Sequence, residues 1–224
     1  LDMYKDVENE SRRWFNASVT HMDHGIGQIV DAVNRKGIRE NTLIVFVSDN
    51  GGQKSWHNDR QYKGRYADKP HTILGDNTPL RGWKGQVYEG GIRVPALVNW
   101  PGVLEPGEME APVHIVDWLP TLCQAAGCQP PEEPELDGRD VWALITGDAS
   151  RMRPRTMYWK TPNASAVRDG DWKLIVHHKG EKPELYNLAK DPYEKKDLAD
   201  AYPERVKELK DLLARLREDD RERQ

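Results

Sequence analysis

Asn41-Thr-Leu-Ile-Val-Phe-Val-Ser-Asp-Asn-Gly51 is the stretch whose reading decides the fold. Its β-rich run from Thr42 to Ser48 is apolar on both faces, which predicts a central strand of a parallel sheet covered by helices. Upstream, Phe15, Val19, Met22, Ile26, Ile29, Val30 and Val33 recur at spacings of three and four. Residues 11–36 therefore read as a helix with one buried face, stopped by Gly37. A helix feeding a buried strand is α/β order. In open α/β sheets the ligand lies outside the carboxyl ends of the strands, here Ser48-Asp49-Asn50-Gly51-Gly52. Asp49 and Asn50 offer the oxygen donors that Ca²⁺ and Mg²⁺ prefer. Asp-Asn-Gly is equally ordinary turn chemistry, and on this segment alone both readings stand.

The next regular segment, Val94 to Trp100, reads as another strand, and the residues between the two lack periodicity. A connection longer than about 15 residues inside a domain is usually functional or disordered, and the Gly, Trp, Tyr and basic content of this one favours function. It contains Thr78-Pro-Leu-Arg-Gly-Trp-Lys-Gly-Gln-Val-Tyr-Glu-Gly-Gly-Ile-Arg93. Glycines 82, 85, 90 and 91 permit close backbone approach, and Arg81, Lys84 and Arg93 supply cations for an oxyanion. No Gly-Lys-[Ser/Thr] follows at P-loop spacing, and a packed glycine-rich turn with exposed bases explains the segment as well. His57, Arg60, Tyr62, Arg65 and His71 lie in the same connection as candidate substrate contacts.

Further on, His114-Ile-Val116 reads as a short strand and Asp117 as the cap of a helix ending at Gly127. A proline-rich linker over 128–140 and a short helix near 141–145 follow. A soft boundary at 148–154 divides the chain into units 1–150 and 151–224. In the second, Ala164–Arg168 and Trp172–His177 flank Asp169-Gly170-Asp171, a hairpin signal, and Glu184–Asn187 adds a third strand. A helix beginning at Pro203 carries Val206, Leu209, Leu212, Leu213 and Leu216 as its apolar stripe. Asp23 falls near the inner face of the first helix and reads as a structural partner. His21 and His24, without a third ligand nearby, read as surface residues, and His177 and His178 as non-catalytic.

Composition narrows the function. Lys and Arg total 33 against 37 Asp and Glu, a net charge of −4, which argues against a general nucleic-acid or anionic-membrane binder. Eight Trp and eight Tyr supply large side chains for a core in an otherwise polar chain. No run approaches the ~18 apolar residues of a membrane span. Cys123 and Cys128 are too few for a disulfide framework, form a poor zinc signal, and read as small buried residues.

Taken together the segments resemble the formylglycine-dependent sulfatases, especially arylsulfatase-like members. The resemblance rests on Asn41–Gly51, on Leu80-Arg-Gly-Trp-Lys-Gly-Gln-Val-Tyr-Glu-Gly-Gly-Ile-Arg-Val-Pro95 and on Asp117-Trp-Leu-Pro-Thr-Leu-Cys-Gln-Ala-Ala-Gly127, in that order. Val19–Gly27 before them, and Val167–Leu174 and Glu184–Pro192 after them, extend it over nearly the whole chain. It implies an α/β, alkaline-phosphatase-like core, of which only the second half is present, plus a small C-terminal antiparallel sheet with a helix. It implies hydrolysis of sulfate monoesters, with Asp49 and Asn50 as ligands of Ca²⁺ or Mg²⁺ and Lys84 touching the sulfate and the leaving-group oxygen. A phosphodiesterase or phosphonate monoester hydrolase on the same scaffold is the alternative enzyme, and a non-catalytic binder of sulfated glycans the alternative of another class. The family's nucleophile is a formylglycine made from Cys or Ser in a Cys/Ser-x-Pro-x-Arg motif, which these 224 residues lack. Together with Leu1 as the first residue, this leads us to expect the C-terminal part of a longer protein, inactive alone, with exposed apolar core surface. The family further implies a sulfated small molecule or glycan as substrate and a periplasmic or secreted location.

Overall fold

The computed structural model describes residues 2–53, 55, 56, 71, 72, 75–133, 135–148 and 154–222. After a 3-10 turn at Asp2–Tyr4, helix α1 spans Glu10–Arg35. The Asn9 side chain accepts the Arg12 amide at 2.9 Å, closing the N-terminus, and Gly37 follows the last turn in the left-handed conformation (φ 68°). The helix and its stop match the expectation; the buried face does not. Val19, Met22 and Ile29 are 43%, 50% and 63% exposed, and His21, Asp23 and His24 are exposed too, so Asp23 is no buried partner. Among the described residues the Asp2–Tyr4 turn packs on α1, where the Tyr4 hydroxyl bonds Thr20 Oγ1 at 2.5 Å. That turn is too small to cover the stripe.

Strand β1, Ile44–Val47, pairs antiparallel with β4, Ala96–Asn99. This corrects the expected central strand of a parallel sheet. Among the described residues β1 and β4 form a two-stranded antiparallel ribbon whose β1 side chains are all half-buried. Within the connection between them lie β2 (Ser55–Trp56), antiparallel to β3 (His71–Thr72), and the one-turn helix α2 (Glu89–Ile92).

His114–Val116 is not a strand. The His114 imidazole accepts the Val116 amide while the Asp117 carboxylate accepts the His114 amide at 2.7 Å, and this reciprocal cap winds Ile115–Asp117 into a 3-10 turn. Helix α3, Trp118–Ala126, continues from it and ends at Gly127. Helix α4, Trp142–Ile145, packs on α3, and the Val141 amide donates to the buried Thr121 hydroxyl at 3.0 Å. Cys123 is half-buried and Cys128 exposed, not both buried as expected, because they stand at the end of α3 rather than on its packed face.

The C-terminal sheet has four antiparallel strands in sequence order: β5 (Thr156–Lys160), β6 (Ala164–Asp169), β7 (Trp172–His177) and β8 (Glu184–Asn187). The β6–β7 hairpin and β8 follow the expectation; β5 was not foreseen. Strand alternation gives the sheet two faces. Val167, Leu174 and Leu185 face Val206, Leu209 and Leu213 of helix α5 (Pro203–Glu222). Ala164, Ala166, Ile175 and Tyr186 on the other face pack with Val87 from the connection between β1 and β4. The sheet is thereby a platform for the segment that carries Lys84.

Candidate active site

Asp49 and Asn50 stand just past the carboxyl end of β1, and the chain turns there because nothing larger than hydrogen fits at Gly51. A Cβ on that residue would lie 1.7 Å from the Gly90 carbonyl oxygen. The contact is held by a bond from the Gly51 amide to Gly91 O at 3.0 Å. Asn77 clasps the next residue: its Oδ1 accepts the Gly52 amide at 2.7 Å, and its Nδ2 donates to the carbonyls of Gly52 and Gly82, both at 3.0 Å. The Lys84 amide completes the joint by donating to Gly52 O at 3.0 Å. Asp49, Asn50 and Lys84, which are 34 and 35 positions apart, are thus carried by two turns bonded to each other.

Lys84 occupies a turn that presents it outward. The Gln86 amide donates to Trp83 O at 3.0 Å and Gly85 has φ 84°, the left-handed third position of a type II turn with Lys84 at its second. Gln86 Oε1 accepts the Trp83 amide at 3.0 Å, which stiffens the turn. Lys84 and Asp49 are exposed and Asn50 is half-buried, an arrangement open to a ligand in front of the two turns. As donors for a cation, Asp49 and Asn50 suit a hard divalent ion, but they are two side chains where Ca²⁺ takes six to eight oxygens. Among the described residues no cluster of three or more His, Cys, Asp or Glu side chains could hold a metal. The residues present therefore fit part of a metal site.

The other expected cations fare differently. Arg81 is spent on structure: it donates to Glu184 at 2.9 Å, to the Tyr186 hydroxyl at 2.5 Å and to the Tyr88 hydroxyl at 3.2 Å, and stacks 4.0 Å from the Tyr88 ring centroid. Burial alone would raise the Glu184 carboxyl. Hydrogen bonds from Tyr186, Tyr88 and His177 and the Arg81 charge outweigh it and bring the group down to about 2. Arg93 is exposed and ends α2, its amide donating to Glu89 O at 2.7 Å. His57, Arg60, Tyr62 and Arg65 lie outside the described residues. His71 is in β3, while His177 bonds Glu184 at 2.7 Å and His178 bonds Ser165 at 2.9 Å.

Below the Lys84 turn sits a buried ion triad that was not foreseen. Lys173 Nζ lies 2.8 Å from both Glu89 Oε1 and Glu194 Oε1, and Glu194 Oε2 accepts the Glu89 amide at 2.7 Å. All three residues are buried; burial pushes the Glu194 carboxyl up even against the neighbouring ammonium. The triad fastens α2, five residues beyond Lys84, to β7. A second buried pair, Asp117 with Arg155, joins the start of α3 to the approach to β5. Burial alone would raise the Asp117 carboxyl, but bonds from Arg155 and from the His114 and Arg139 amides hold it below the usual range. Asn77 was also missed; its only signal was the Asn-Thr-Pro turn composition.

The sulfatase family model matches residues 2–128, and the model for the N-sulphoglucosamine sulphohydrolase C-terminal region matches residues 82–219. Arylsulfatase J of Mus musculus is 30% identical over 93% of this chain and 40% of its own length. Arylsulfatase A of Homo sapiens is 31% identical over 92% of this chain and 44% of its own length. The crystal structure of Ps i-CgsB with k-i-k-neocarrahexaose superposes with a TM-score of 0.76 at 28% identity, covering 93% of this chain and 43% of that one. The phosphonate monoester hydrolase SpPMH from Silicibacter pomeroyi shares the fold, with a TM-score of 0.61 at 22% identity, over 87% of this chain and 38% of its own. The chain spans well under half the length of these relatives. Among the described residues no helix is long and apolar enough to cross a membrane.

Proposed function

From the premise that this chain belongs to the sulfatase family, we propose that it carries the metal-and-lysine portion of a site that hydrolyses sulfate monoesters. The observation that supports this reading is the joint between the two turns, which brings Lys84 and the Asp49–Asn50 pair to one place across 34 to 35 positions of sequence. Asp49 and Asn50 would hold a divalent cation, Ca²⁺ or in its place Mg²⁺, with further oxygens from elsewhere. Such an ion, when bound, polarises sulfate oxygens as a Lewis acid. Lys84 binds a sulfate oxygen and places its ammonium at the departing ester oxygen, where it stabilises or protonates the charge that develops. The type II turn beneath Lys84 fixes where its side chain starts, beside the Gly52 carbonyl that its amide bonds. No bond-making step is assigned to this chain, because the Cys/Ser-x-Pro-x-Arg motif behind the family's formylglycine is absent from its 224 residues.

The proposed substrate is a sulfated small molecule or glycan met outside the cytoplasm, in the periplasm or beyond. His57, Arg60 and Arg65 are its proposed contacts in the connection between β1 and β4. The test uses the longest natural polypeptide that carries this sequence. Lys84→Ala should lower kcat/KM on an aryl sulfate by about 10² or more, the usual scale for losing one stabiliser of developing charge, and Asp49→Ala should do so with weakened calcium binding. Unchanged turnover in Lys84→Ala would overturn the assignment. Faster cleavage of a phosphate or phosphonate ester than of the sulfate ester would replace the sulfatase reading by that of a phosphoryl hydrolase. Binding of a sulfated glycan without any cleavage would replace it by that of a binding protein.

A further inference from the structure

Helix α3 ends in a motif that brings two thiols together. The Cys128 amide donates to Cys123 O at 2.9 Å and the Gly127 amide to Gln124 O at 3.1 Å, with Gly127 left-handed at φ 70°. These nested bonds are a Schellman motif, whose first and sixth residues bring their side chains into contact, usually as an apolar pair. Here both residues are cysteine, with free thiols. The 2.9 Å backbone bond limits the Cα–Cα distance to about 6.8 Å at most, within the span that a disulfide bridges. Cys128 is exposed and Cys123 half-buried, so an external disulfide can reach the pair.

We propose that Cys123 and Cys128 are a reversible redox site that closes to an intramolecular disulfide by exchange with a small-molecule disulfide. The Cys128 thiolate attacks one sulfur of oxidised glutathione, forming a mixed disulfide and releasing one glutathione thiolate. Cys123 then attacks the Cys128 sulfur, the protein disulfide forms and the second glutathione leaves. The two cysteine protons end on the two released glutathiones, so the protein is oxidised by two electrons and one glutathione disulfide is reduced. Burial, and next the neighbouring Cys128, push the Cys123 thiol up, so Cys128 makes the first attack and Cys123 the intramolecular second. The bridge ties the end of α3 to the 128–140 segment, which folds back so closely that a Cβ at Gly138 would lie 1.9 Å from Val116 O.

The test equilibrates the full chain with graded ratios of reduced and oxidised glutathione, then counts thiols by alkylation and intact mass. The expected result is joint loss of both thiols in one step, a mass lower by about 2 Da, and no change in oligomeric state. A chain that carries glutathione on either cysteine at every ratio, or that dimerises through Cys128, would overturn the proposal. Cys123→Ser should stop at a stable glutathione adduct on Cys128. Gly127→Val, which cannot hold φ 70° without strain, should need an about tenfold more oxidising ratio. Because that variant could misfold, the wild-type chain is also equilibrated in urea. The same tenfold loss on unfolding is expected, and an unchanged midpoint would overturn the role of the helix end.

Discussion

Helices α1 and α5 have the same kind of apolar stripe and opposite fates. In α5, Val206, Leu209 and Leu213 are 8%, 1% and 3% exposed, held against one face of the C-terminal sheet; in α1, Val19, Met22 and Ile29 remain 43% to 63% exposed. The difference lies in the partner. The four-stranded meander pairs strands adjacent in sequence, so loop closure is cheap and a broad apolar face is ready for α5. Helix α1 is followed by a strand whose partner, β4, arrives some fifty residues later. Among the described residues the buried apolar side chains begin at Val87. Periodicity says which face a helix would bury; only a neighbouring surface decides whether it does.

That contrast is broken most severely at its hinge. Lys173→Ala leaves Glu89 and Glu194 buried without their cation and should destabilise the sheet by about 3–5 kcal/mol, read by urea unfolding followed through Trp159 and Trp172 fluorescence. Next, Leu209→Ala in α5 should cost about 2–5 kcal/mol, whereas Ile29→Ala in α1 should stay within about 0.5 kcal/mol. Equal costs would show that the two helices are not differently supported. Acid gives a smaller effect on the same side. Glu184 has a folded-state value of about 2 against an ordinary 4.5, so its contribution is complete above pH 4.5 and is lost as pH falls through about 2. On the order of 2 kcal/mol should disappear across that window, and Glu184→Gln should flatten it. Smallest, Gly27→Ala in α1, where an added Cβ meets nothing within 4 Å, should gain up to about 1 kcal/mol of helix stability by circular dichroism.

Local signals were legible and distant ones were not. The α5 stripe, the Asp169-Gly170-Asp171 turn and the Gly37 and Gly127 stops are encoded within a few residues and were read directly. Strand β5 escaped because Thr156-Met-Tyr-Trp-Lys160 acquires its two-sided pattern only once β6 lies beside it. His114–Val116 misled because its apolar residues look like a strand, while the deciding contacts are polar caps. At the candidate site the residue types around Asp49, Asn50 and Lys84 were visible, as was their resemblance to sulfatases. The Asn77 clasp and the Lys173–Glu89–Glu194 triad were not, since their partners lie 25, 84 and 105 positions apart in sequence. Arg81 misled in the other sense: by residue type it is a free cation, yet Glu184 and Tyr186, which hold it, lie more than a hundred positions downstream.

Val87 touches the C-terminal sheet on one side, while three residues before it Lys84 is exposed and its amide bonds Gly52 O. Amide hydrogens of residues 89–91 should therefore exchange with deuterium on the slow clock of the sheet rather than on the fast clock of an ordinary surface connection. The lysine would then lose its place only when the sheet itself opens, so heat inactivation and sheet melting would follow one curve.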